Sequence, residues 1–337
     1  MIFFLFNVLP GDPAQMMLGQ NENSEQLNIV KKKYGFDKPL STQYLYYLND
    51  LSPFSLHSLN KNDYSFFDRE NYTGLELLKT HNYSVNIKYP YLRTSFVNQG
   101  KKVSDIIIET LPNTIILAIS AISIAIILGI ILGILSALYK NTFLDIAIQF
   151  FSTIGMSVPS FFSAIIFAWI FGFLLKDFTG LEMSGSLYEL DDYGESFHLK
   201  LKNLILPSVV LGIRPLAVIS QLMRNELLNI LNQDYIRTAK AKGLSKFYVI
   251  KNHAIKNSLN PVITAISGWF ASLLAGAVFV EFIFGWNGIG KEIVNALNLL
   301  DLPVIMGSVI VIAFMFILIN IFVDIIYIKL DPRVKLN

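Results

Sequence analysis

Long apolar runs with few polar interruptions fill most of the chain after residue 113. Five of them have about the 20 residues that a helix needs to cross roughly 30 Å of hydrocarbon. They cover residues 114–139, 146–175, 204–223, 262–284 and 304–328. None alternates apolar and polar residues with a period of two, so the pattern favours helices over barrel strands. The runs are too long for a soluble core, and they predict an all-α integral membrane protein.

The chain begins with an apolar stretch that is too short to cross a membrane. Only nine residues, "MIFFLFNVL", precede Pro10, and at about 1.5 Å per residue they cover less than half of a bilayer. A signal peptide is not indicated, because the stretch lacks a basic first region and a small-residue cleavage site. We interpret residues 1–13 as the remnant of a first transmembrane helix, which gives the complete protein six helices.

The distribution of Lys and Arg predicts which segments face the cytoplasm. Residues 224–259 carry seven basic and two acidic side chains, a net charge of +5, whereas residues 176–203 carry three basic and six acidic ones, a net charge of −3. Short basic loops stay on the cytoplasmic side. Alternation then predicts that residues 14–109 form an extracytoplasmic segment and that residues 329–337 form a cytoplasmic tail.

Composition agrees with a membrane protein and excludes several other classes. The chain is 53% hydrophobic and 15% charged, and its 27 basic and 25 acidic residues leave a net charge of +2. This balance implies no general attraction to nucleic acid. The chain has no cysteine, and its four histidines do not form an H-E-x-x-H motif, so no thiol nucleophile or zinc protease site is indicated. We expect no catalytic residue and no metal ligand.

The basic segment 225–259 predicts two short helices joined by a sharp corner. Gly243 can adopt the left-handed conformation that ends a helix, and Ser245 can cap the helix that follows. Four apolar or aromatic residues before the corner share one helical face: Leu227, Leu228, Leu231 and Tyr235. The alternative is an ordinary basic loop lying on lipid headgroups.

The stretch "GWNGIGKE", residues 285–292, resembles a nucleotide-binding P-loop by its glycine and lysine spacing. A P-loop follows a strand and needs Ser or Thr after the lysine to hold magnesium. Here Glu292 takes that place, a predicted membrane helix precedes the stretch, and the predicted orientation is extracytoplasmic. We therefore expect no ATP or magnesium to bind at this stretch.

Ionisable or amide side chains within predicted spans are costly and call for a role. Four are candidates: Arg214, Glu281, Asn320 and Asp324. In one interpretation, Arg214 faces the translocation path and meets a substrate carboxylate, with Glu281 available to an amine. In the other, Arg214 forms a structural pair with an acidic neighbour in this subunit or a partner. Pro159 and Pro207 are predicted to bend or open their helices.

Several segments together carry a family resemblance. The segment "DYIRTAKAKGLSKFYVIKNHAIKNSLNPVIT" closely resembles the EAA loop of permease subunits in binding-protein-dependent ABC importers of the dipeptide, oligopeptide and nickel group. Further segments resemble the same group in the same order: "LPGDPA", "YGFDKPLSTQY", "LPNTIILA", "GMSVPSFF", "VEFIFGWNGIG" and "NIFVDIIYIKLDPR". The resemblance omits residues 52–88, which we interpret as an insert. It implies a type I importer fold, with the permease domain over residues 110–328.

In such importers the EAA loop, here 225–259, docks in a groove on a separate ATPase. The resemblance places the EAA triplet at Arg237, Thr238 and Ala239 and the family glycine at Gly243. The predicted coupling residues are Asp234, Tyr235, Arg237, Thr238, Ala239, Lys240, Ala241, Lys242, Gly243 and Leu244. Small side chains at 239 and 241 would let the helix enter the groove closely, and the lysines at 240 and 242 would face acidic residues of the ATPase. His253 and Lys256 depart from the wider consensus.

The resemblance also implies an assembly in the bacterial inner membrane. The expected partners are a second permease, two ATP-binding subunits that use ATP and magnesium, an extracytoplasmic substrate-binding protein and the lipid bilayer. The chain itself would be no enzyme, and it would form half of the path for peptides or a related small solute. The external segment is expected to contact the binding protein or the second permease. A self-contained channel or secondary transporter is the alternative, but it would leave the basic loop unexplained.

Overall fold

The computed structural model describes the backbone of residues 3–4, 14–15, 24–61, 63–98, 100–191 and 193–330. The predicted helix remnant, 1–13, and the predicted tail, 329–337, lie almost entirely outside this range. The chain divides into two compact units. We call residues 1–109 with 292–311 the N-terminal unit, and residues 110–291 with 312–337 the helical unit.

The predicted apolar runs are helical, and the polar segments contain short strands. The helices are α1 (Ser24–Tyr34), α2 (Leu40–Leu51), α3 (Val103–Leu138), α4 (Phe143–Ser157), α5 (Ser160–Trp169), α6 (Lys176–Thr179), α7 (Lys202–Leu231), α8 (Asp234–Ala241), α9 (Lys246–Val249), α10 (Lys256–Gly276), α11 (Val278–Phe284), α12 (Ile289–Leu299) and α13 (Leu302–Leu330). Two π-helical segments, π1 (Ile170–Leu174) and π2 (Ile250–Ile255), follow α5 and α9. The strands are β1 (Phe54–Ser58), β2 (Gly74–Lys79), β3 (Tyr83–Lys88), β4 (Tyr188–Leu190) and β5 (Phe197–Leu199).

Within the described residues, three helices are individually long and apolar enough to cross a membrane: α3, α7 and the Leu302–Val323 part of α13. Two further spans result only if each of two bent helix pairs crosses as one. The pair formed by α4 and Ser160–Leu174 bends by 111°, and the pair formed by Lys246–Leu274 and α11 bends by 57°. Two of the five predicted spans are therefore broken helices.

The larger of these bends has a local cause. Val158 is extended, with φ −79° and ψ 130°, and it precedes Pro159, which caps α5. A proline ring clashes with a helical residue before it and pushes that residue into the extended region. The predicted break at Pro159 is confirmed. Pro207 lies inside α7, which continues through it.

The core of the helical unit is built around α7, which packs against α4, α5, α10 and α11. Its first apolar cluster includes Leu117, Leu211, Phe284 and Trp286, all nearly or fully buried. Glycines of α3 allow a close approach to α7, since a Cβ added to Gly133 would stand 2.6 Å from a backbone oxygen of that helix. The backbones of α3 and α7 therefore lie close together at this point.

The predicted insert near 52–88 folds as a three-stranded antiparallel sheet in the order β1-β3-β2. Alternation along the strands separates two faces. Ser55 and Asn86 lie on a buried polar face, whereas Phe54, Leu56 and Leu75 are exposed on the other. The sequence motifs that carry the resemblance to permeases lie outside this segment, and the sequence analysis did not predict its sheet.

A buried polar cluster ties the sheet to α2 and to the chain that follows. The carboxylate of Asp50 accepts hydrogen bonds from Tyr72 Oη at 2.7 Å and Arg93 Nε at 2.9 Å. Lys88 donates to the Asp50 carbonyl oxygen. Because burial disfavours the ammonium form, the pKa of Lys88 is lowered to about 8. The Lys88 amine in this cluster therefore loses its proton at a lower pH than an exposed lysine does.

A second anchor of the N-terminal unit is Asp301, between α12 and α13. Its buried carboxylate accepts hydrogen bonds from Ser95 Oγ, from Phe96 N at 3.1 Å and from Val97 N at 3.3 Å. These bonds fix the chain that leads into α3. One carboxylate therefore joins the segment before α3 to the turn between α12 and α13.

Candidate coupling loop and polar residues of the helical unit

The chain leaves α7 through a two-residue break. α7 ends at Leu231, and Gln233 is extended, with φ −74° and ψ 150°, before α8 begins. The single helical face predicted across Leu227 and Tyr235 is therefore interrupted. Leu227 is fully buried, whereas Tyr235 is 43% exposed on a separate helix. The prediction of one continuous helix here is wrong because spacing alone does not show a two-residue break.

The inner face of α8 belongs to the core of this chain. Ile236 is fully buried and Ala239 is 9% exposed, and both pack in a second apolar cluster with Met223, Leu227 and Val249. Ala239 was expected from the family pattern to face the ATPase groove. In the structure it instead joins the loop to α7, and its small side chain permits that close packing.

The outer face of α8 and the corner after it are exposed. The exposed coupling residues are Asp234, Tyr235, Arg237, Thr238, Lys240, Ala241, Lys242, Gly243 and Leu244. The ion pair between Arg237 and Asp234, at 3.3 Å, is almost fully in solvent, so it contributes at most about 1 kcal/mol. These residues form a basic surface with the small Ala241 near its end.

The corner itself has the geometry that the sequence predicts. Gly243 adopts φ +82°, a left-handed conformation that glycine reaches without a Cβ penalty. Ser245 caps α9, and its Oγ accepts a hydrogen bond from Tyr248 N at 3.3 Å. Phe247 is 74% exposed and Tyr248 49% exposed. The predicted glycine corner and serine cap are confirmed, and two aromatic rings lie on the surface next to them.

The structure separates Arg214 from Glu281. Arg214 is exposed on α7, and none of the ion pairs among the described residues includes it. Glu281 is fully buried on α11. The two side chains are thus not a pair within the part of the chain that is described. Arg214 remains a candidate for the path or for a partner subunit.

Glu281 binds the start of α12, which carries the stretch "GWNGIGKE". Its Oε2 accepts hydrogen bonds from Gly290 N at 2.7 Å and Lys291 N at 3.3 Å. A Cβ on Gly288 would stand 2.3 Å from the same oxygen, so a glycine is needed there. Helix α11, not a strand, precedes the stretch. The helix start that would receive a phosphate in a P-loop is filled by the chain's own carboxylate.

Trp286 closes the same turn. It is fully buried, and its Nε1 donates to Asn113 O at 3.0 Å. Gly285, with φ +66°, ends α11 and reverses the chain. The turn is therefore part of the core of the helical unit.

The other two candidates lie on α13. Asn320 donates to the carbonyl oxygen of Phe316, one turn earlier in the same helix, at 2.8 Å. The side chain of Asp324 lies outside the described residues. Asn320 thus satisfies its amide locally, as polar side chains in apolar helices often do.

One polar group of the helical unit was not among the candidates from the sequence. Asp145 on α4 and Arg224 on α7 form an ion pair with two parallel hydrogen bonds, Nε to Oδ1 and Nη2 to Oδ2, each 2.8 Å long. The side chains are 2% and 15% exposed. An acidic residue inside the apolar segment "FLDIAIQFF" was the available signal, since such groups are rarely placed in spans without a partner.

The described residues contain no cluster of three or more His, Asp or Glu side chains that could hold a metal ion. Among the groups described above, Glu281 and Asn320 accept from or donate to backbone atoms, and Asp145 and Arg224 bind each other. Their arrangement can hold helices in position, and the exposed loop can bind a partner.

Comparisons with known proteins agree on one family. The chain is 33% identical to the dipeptide transport system permease protein DppB of Alkalihalophilus pseudofirmus over 350 residues, covering 99% of this chain and 93% of that protein. It is 33% identical to the protein of the same name from Bacillus subtilis over 335 residues, covering 99% and 92%. A putative peptide permease of Brucella suis is 33% identical over 340 residues, covering 100% and 93%.

Solved structures show the same fold. The methionine ABC transporter MetNI, in two inward-facing crystal forms, superposes with TM-scores of 0.51 and 0.52 at 12% and 13% identity. The matches cover 68% and 67% of this chain and 97% and 96% of the transporter chain. The transmembrane fold is therefore that of a type I ABC importer, as the sequence predicts.

Two family profiles match the chain in order. Residues 1–61 match the N-terminal region of binding-protein-dependent transport system membrane components. Residues 125–336 match the family described as binding-protein-dependent transport system inner membrane component. This second match includes α4, α7 and the whole loop from α8 to π2. The chain is a transport membrane protein and belongs to the family of binding-protein-dependent transport system inner membrane components.

Proposed function

We propose that this chain is a permease subunit of an ATP-driven importer of peptides and that it couples to a separate ATPase through the loop from Asp234 to Val249. One observation carries the proposal. A helix, a left-handed glycine corner and a second helix expose basic and aromatic side chains, while their inner faces are joined to α7. A loop that only covered lipid headgroups would not need this fixed corner.

The proposed assembly contains this chain, a second permease, two ATP-binding subunits and an extracytoplasmic substrate-binding protein. The basic segment 224–259 would face the cytoplasm, in agreement with its net charge of +5. The acidic segment 176–203 would face the binding protein's side of a bacterial inner membrane. ATP and magnesium would be used only by the partner ATPase.

In this arrangement, ATP binding would pull the two ATPase subunits together and move the loops docked on them. Because Ile236 and Val249 pack on the same cluster as Met223, a displaced loop would move α7 with it. The translocation path between the two permeases would then open to the other side. This chain contributes shape and mechanical connection to the cycle and no covalent chemistry.

Peptides are the proposed substrate class because the permeases at 33% identity carry dipeptide names. The binding protein would supply most of the selectivity. Arg214, exposed on α7 and without an ion-pair partner among the described residues, is the candidate contact for a peptide carboxylate. Nickel is an outcome to test, since the resembling group includes nickel permeases.

The test is a mild-detergent purification of the tagged chain from its native membrane, followed by reconstitution into vesicles with the binding protein inside or outside. We expect a second permease and ATP-binding subunits to co-purify, and labelled dialanine to accumulate only with ATP. A complex with a hydrolysis-deficient ATPase is the control. Uptake by the isolated chain without ATP would refute the proposal in favour of a channel or secondary transporter, and ATP-driven uptake of nickel alone would refute the peptide assignment.

A further inference from the structure

One buried carboxylate connects three segments at the same end of the helical unit. Asp145, in the first turn of α4, accepts hydrogen bonds from the Ser136 hydroxyl of α3, from Asn141 N in the turn at 2.9 Å and from Gln149 Nε2 at 3.0 Å. It also accepts both bonds from Arg224 on α7, each 2.8 Å long. Five donors thus converge on the two carboxylate oxygens, three on Oδ1 and two on Oδ2.

This geometry restricts the relative positions of α3, α4 and α7 more tightly than apolar packing does. A guanidinium that binds a carboxylate through two parallel bonds tolerates little rotation or sliding. Apolar side chains of similar volume would often give equal or greater stability at a buried site. The ion pair therefore specifies one position of α7 against the corner formed by α3 and α4. Both partners are shielded, with Asp145 only 2% exposed.

The position of the pair along α7 links it to the coupling loop. Arg224 lies seven residues before the end of α7, which is about 10 Å along a helix. Its neighbour Met223 and the next turn's Leu227 belong to the cluster that also contains Ile236 and Val249 of the loop. The same stretch of α7 thus contacts the loop on one side and Asp145 on the other.

Through Asp145, the ion pair is also connected to the sharply bent helices α4 and α5. Asp145 is near the start of α4, and α4 continues to the break at Val158 and Pro159, where the 111° bend begins. A shift of α7 that keeps both bonds must move the start of α4 as well. If the bonds are lost, α7 can move without α4.

We propose that Asp145 and Arg224 are positioning residues which transmit movement of the coupling loop from α7 to α4, so that ATP hydrolysis and solute movement stay linked. This inference rests on the proposed importer function. It predicts that loss of the pair uncouples the two activities while the complex remains assembled. A purely structural pair would instead change both activities together, in proportion to the amount of folded complex.

The experiment compares the reconstituted complex carrying Asp145→Asn, Arg224→Lys or no change, with ATP hydrolysis and dialanine uptake measured in the same vesicles. Arg224→Lys keeps the charge but loses the two-bond geometry. Glu189→Gln is the matched control, because Glu189 forms a 2.6 Å ion pair with Lys200 in the β4–β5 hairpin, away from the loop. The readout is ATP molecules hydrolysed per dialanine transported, with assembled complex quantified on the same samples.

We expect the ratio to rise at least about tenfold in Asp145→Asn and by a smaller factor in Arg224→Lys, with no change in Glu189→Gln. An unchanged ratio in an assembled variant would overturn the inference. So would failure of both variants to assemble, since the pair would then serve folding alone. A wild-type complex without ATP-dependent uptake would be a different result, because it refutes the proposed function itself before any variant is compared.

Discussion

Gly243 offers the sharpest test of the coupling loop. Replacing it with alanine adds a Cβ to a residue at φ +82°. Nothing lies within 4 Å of that Cβ, so the substitution creates no steric clash with another part of the chain. Its whole effect must come from the backbone conformation, which determines the angle between α8 and α9.

The expected magnitude follows from the left-handed conformation alone. An L-residue in that region costs roughly 1–2 kcal/mol relative to glycine. Since 1.4 kcal/mol corresponds to a tenfold change in an equilibrium constant, this cost lowers the population of the docked corner by about 5- to 30-fold. We therefore expect Gly243→Ala to raise the Kd for the ATPase subunit by that factor. Gly243→Asn should have a smaller effect, because asparagine enters the left-handed region more readily.

The assay is a titration of the detergent-solubilised permease with fluorescently labelled ATPase subunit. Gly194→Ala is the matched control: Gly194 has φ +74° and also nothing within 4 Å, but it lies in the β4–β5 hairpin. The free-energy cost of placing alanine in the left-handed conformation should be similar at both sites. Only Gly243→Ala should weaken ATPase binding. Equal weakening by both variants, or none by Gly243→Ala, would refute the conclusion that the glycine corner sets the docking geometry.

Three further predictions concern folding. Unfolding of the N-terminal unit should become less favourable as pH rises from about 8 to 10, because the unfolded chain then holds a proton that buried Lys88 releases. The slope should be at most about 1.4 kcal/mol per pH unit and absent in Lys88→Met, and limited proteolysis across this pH range would measure it. Trp286→Phe should lose about 1 kcal/mol with its bond to Asn113 O, and an unchanged melting temperature would contradict this. Gly74→Ala should destabilise the sheet by about 1–3 kcal/mol or more, as its Cβ would lie 2.3 Å from Ile87 O; unaltered protease resistance would count against it.

Much of the helical unit was predictable because its signals are local. A long apolar run must satisfy its backbone hydrogen bonds internally, so it becomes a helix wherever it lies. Pro159 restricts the residue before it, and the break follows from that single restriction. Gly243 and Ser245 likewise act on their own backbone. The corner of the coupling loop could therefore be derived without knowing what surrounds it.

The sheet was missed although the sequence carried a signal for it. The segments "FSLHS" and "YSVNIK" alternate apolar and polar residues, as strands with two different faces do. The sequence motifs that carry the resemblance to permeases lie outside this segment and predict no fold for it. The alternation does not show which face is buried. The apolar face would be expected inside, but Phe54 is exposed while Asn86 is buried. Burial there depends on contacts between distant parts of the chain.

Long-range partners account for the other differences. Asp145 and Arg224 are separated by 79 positions along the chain, and no local pattern joins them. The same holds for Ala239, whose small side chain fits either a partner's groove or the core of its own subunit. The structure selects the core. Residue type limited the choices in each case, and packing decided among them.

The bond between Glu281 and the start of α12 gives the stretch "GWNGIGKE" a structural role that its glycine and lysine spacing does not show. As in a phosphate-binding loop, glycine-rich backbone surrounds an acceptor oxygen at the start of a helix, but here the oxygen belongs to a side chain of the same chain and cannot dissociate. Glu281 is also fully buried. The position that a phosphate would take in a nucleotide-binding loop is therefore occupied from within the fold and is closed to a ligand from solution.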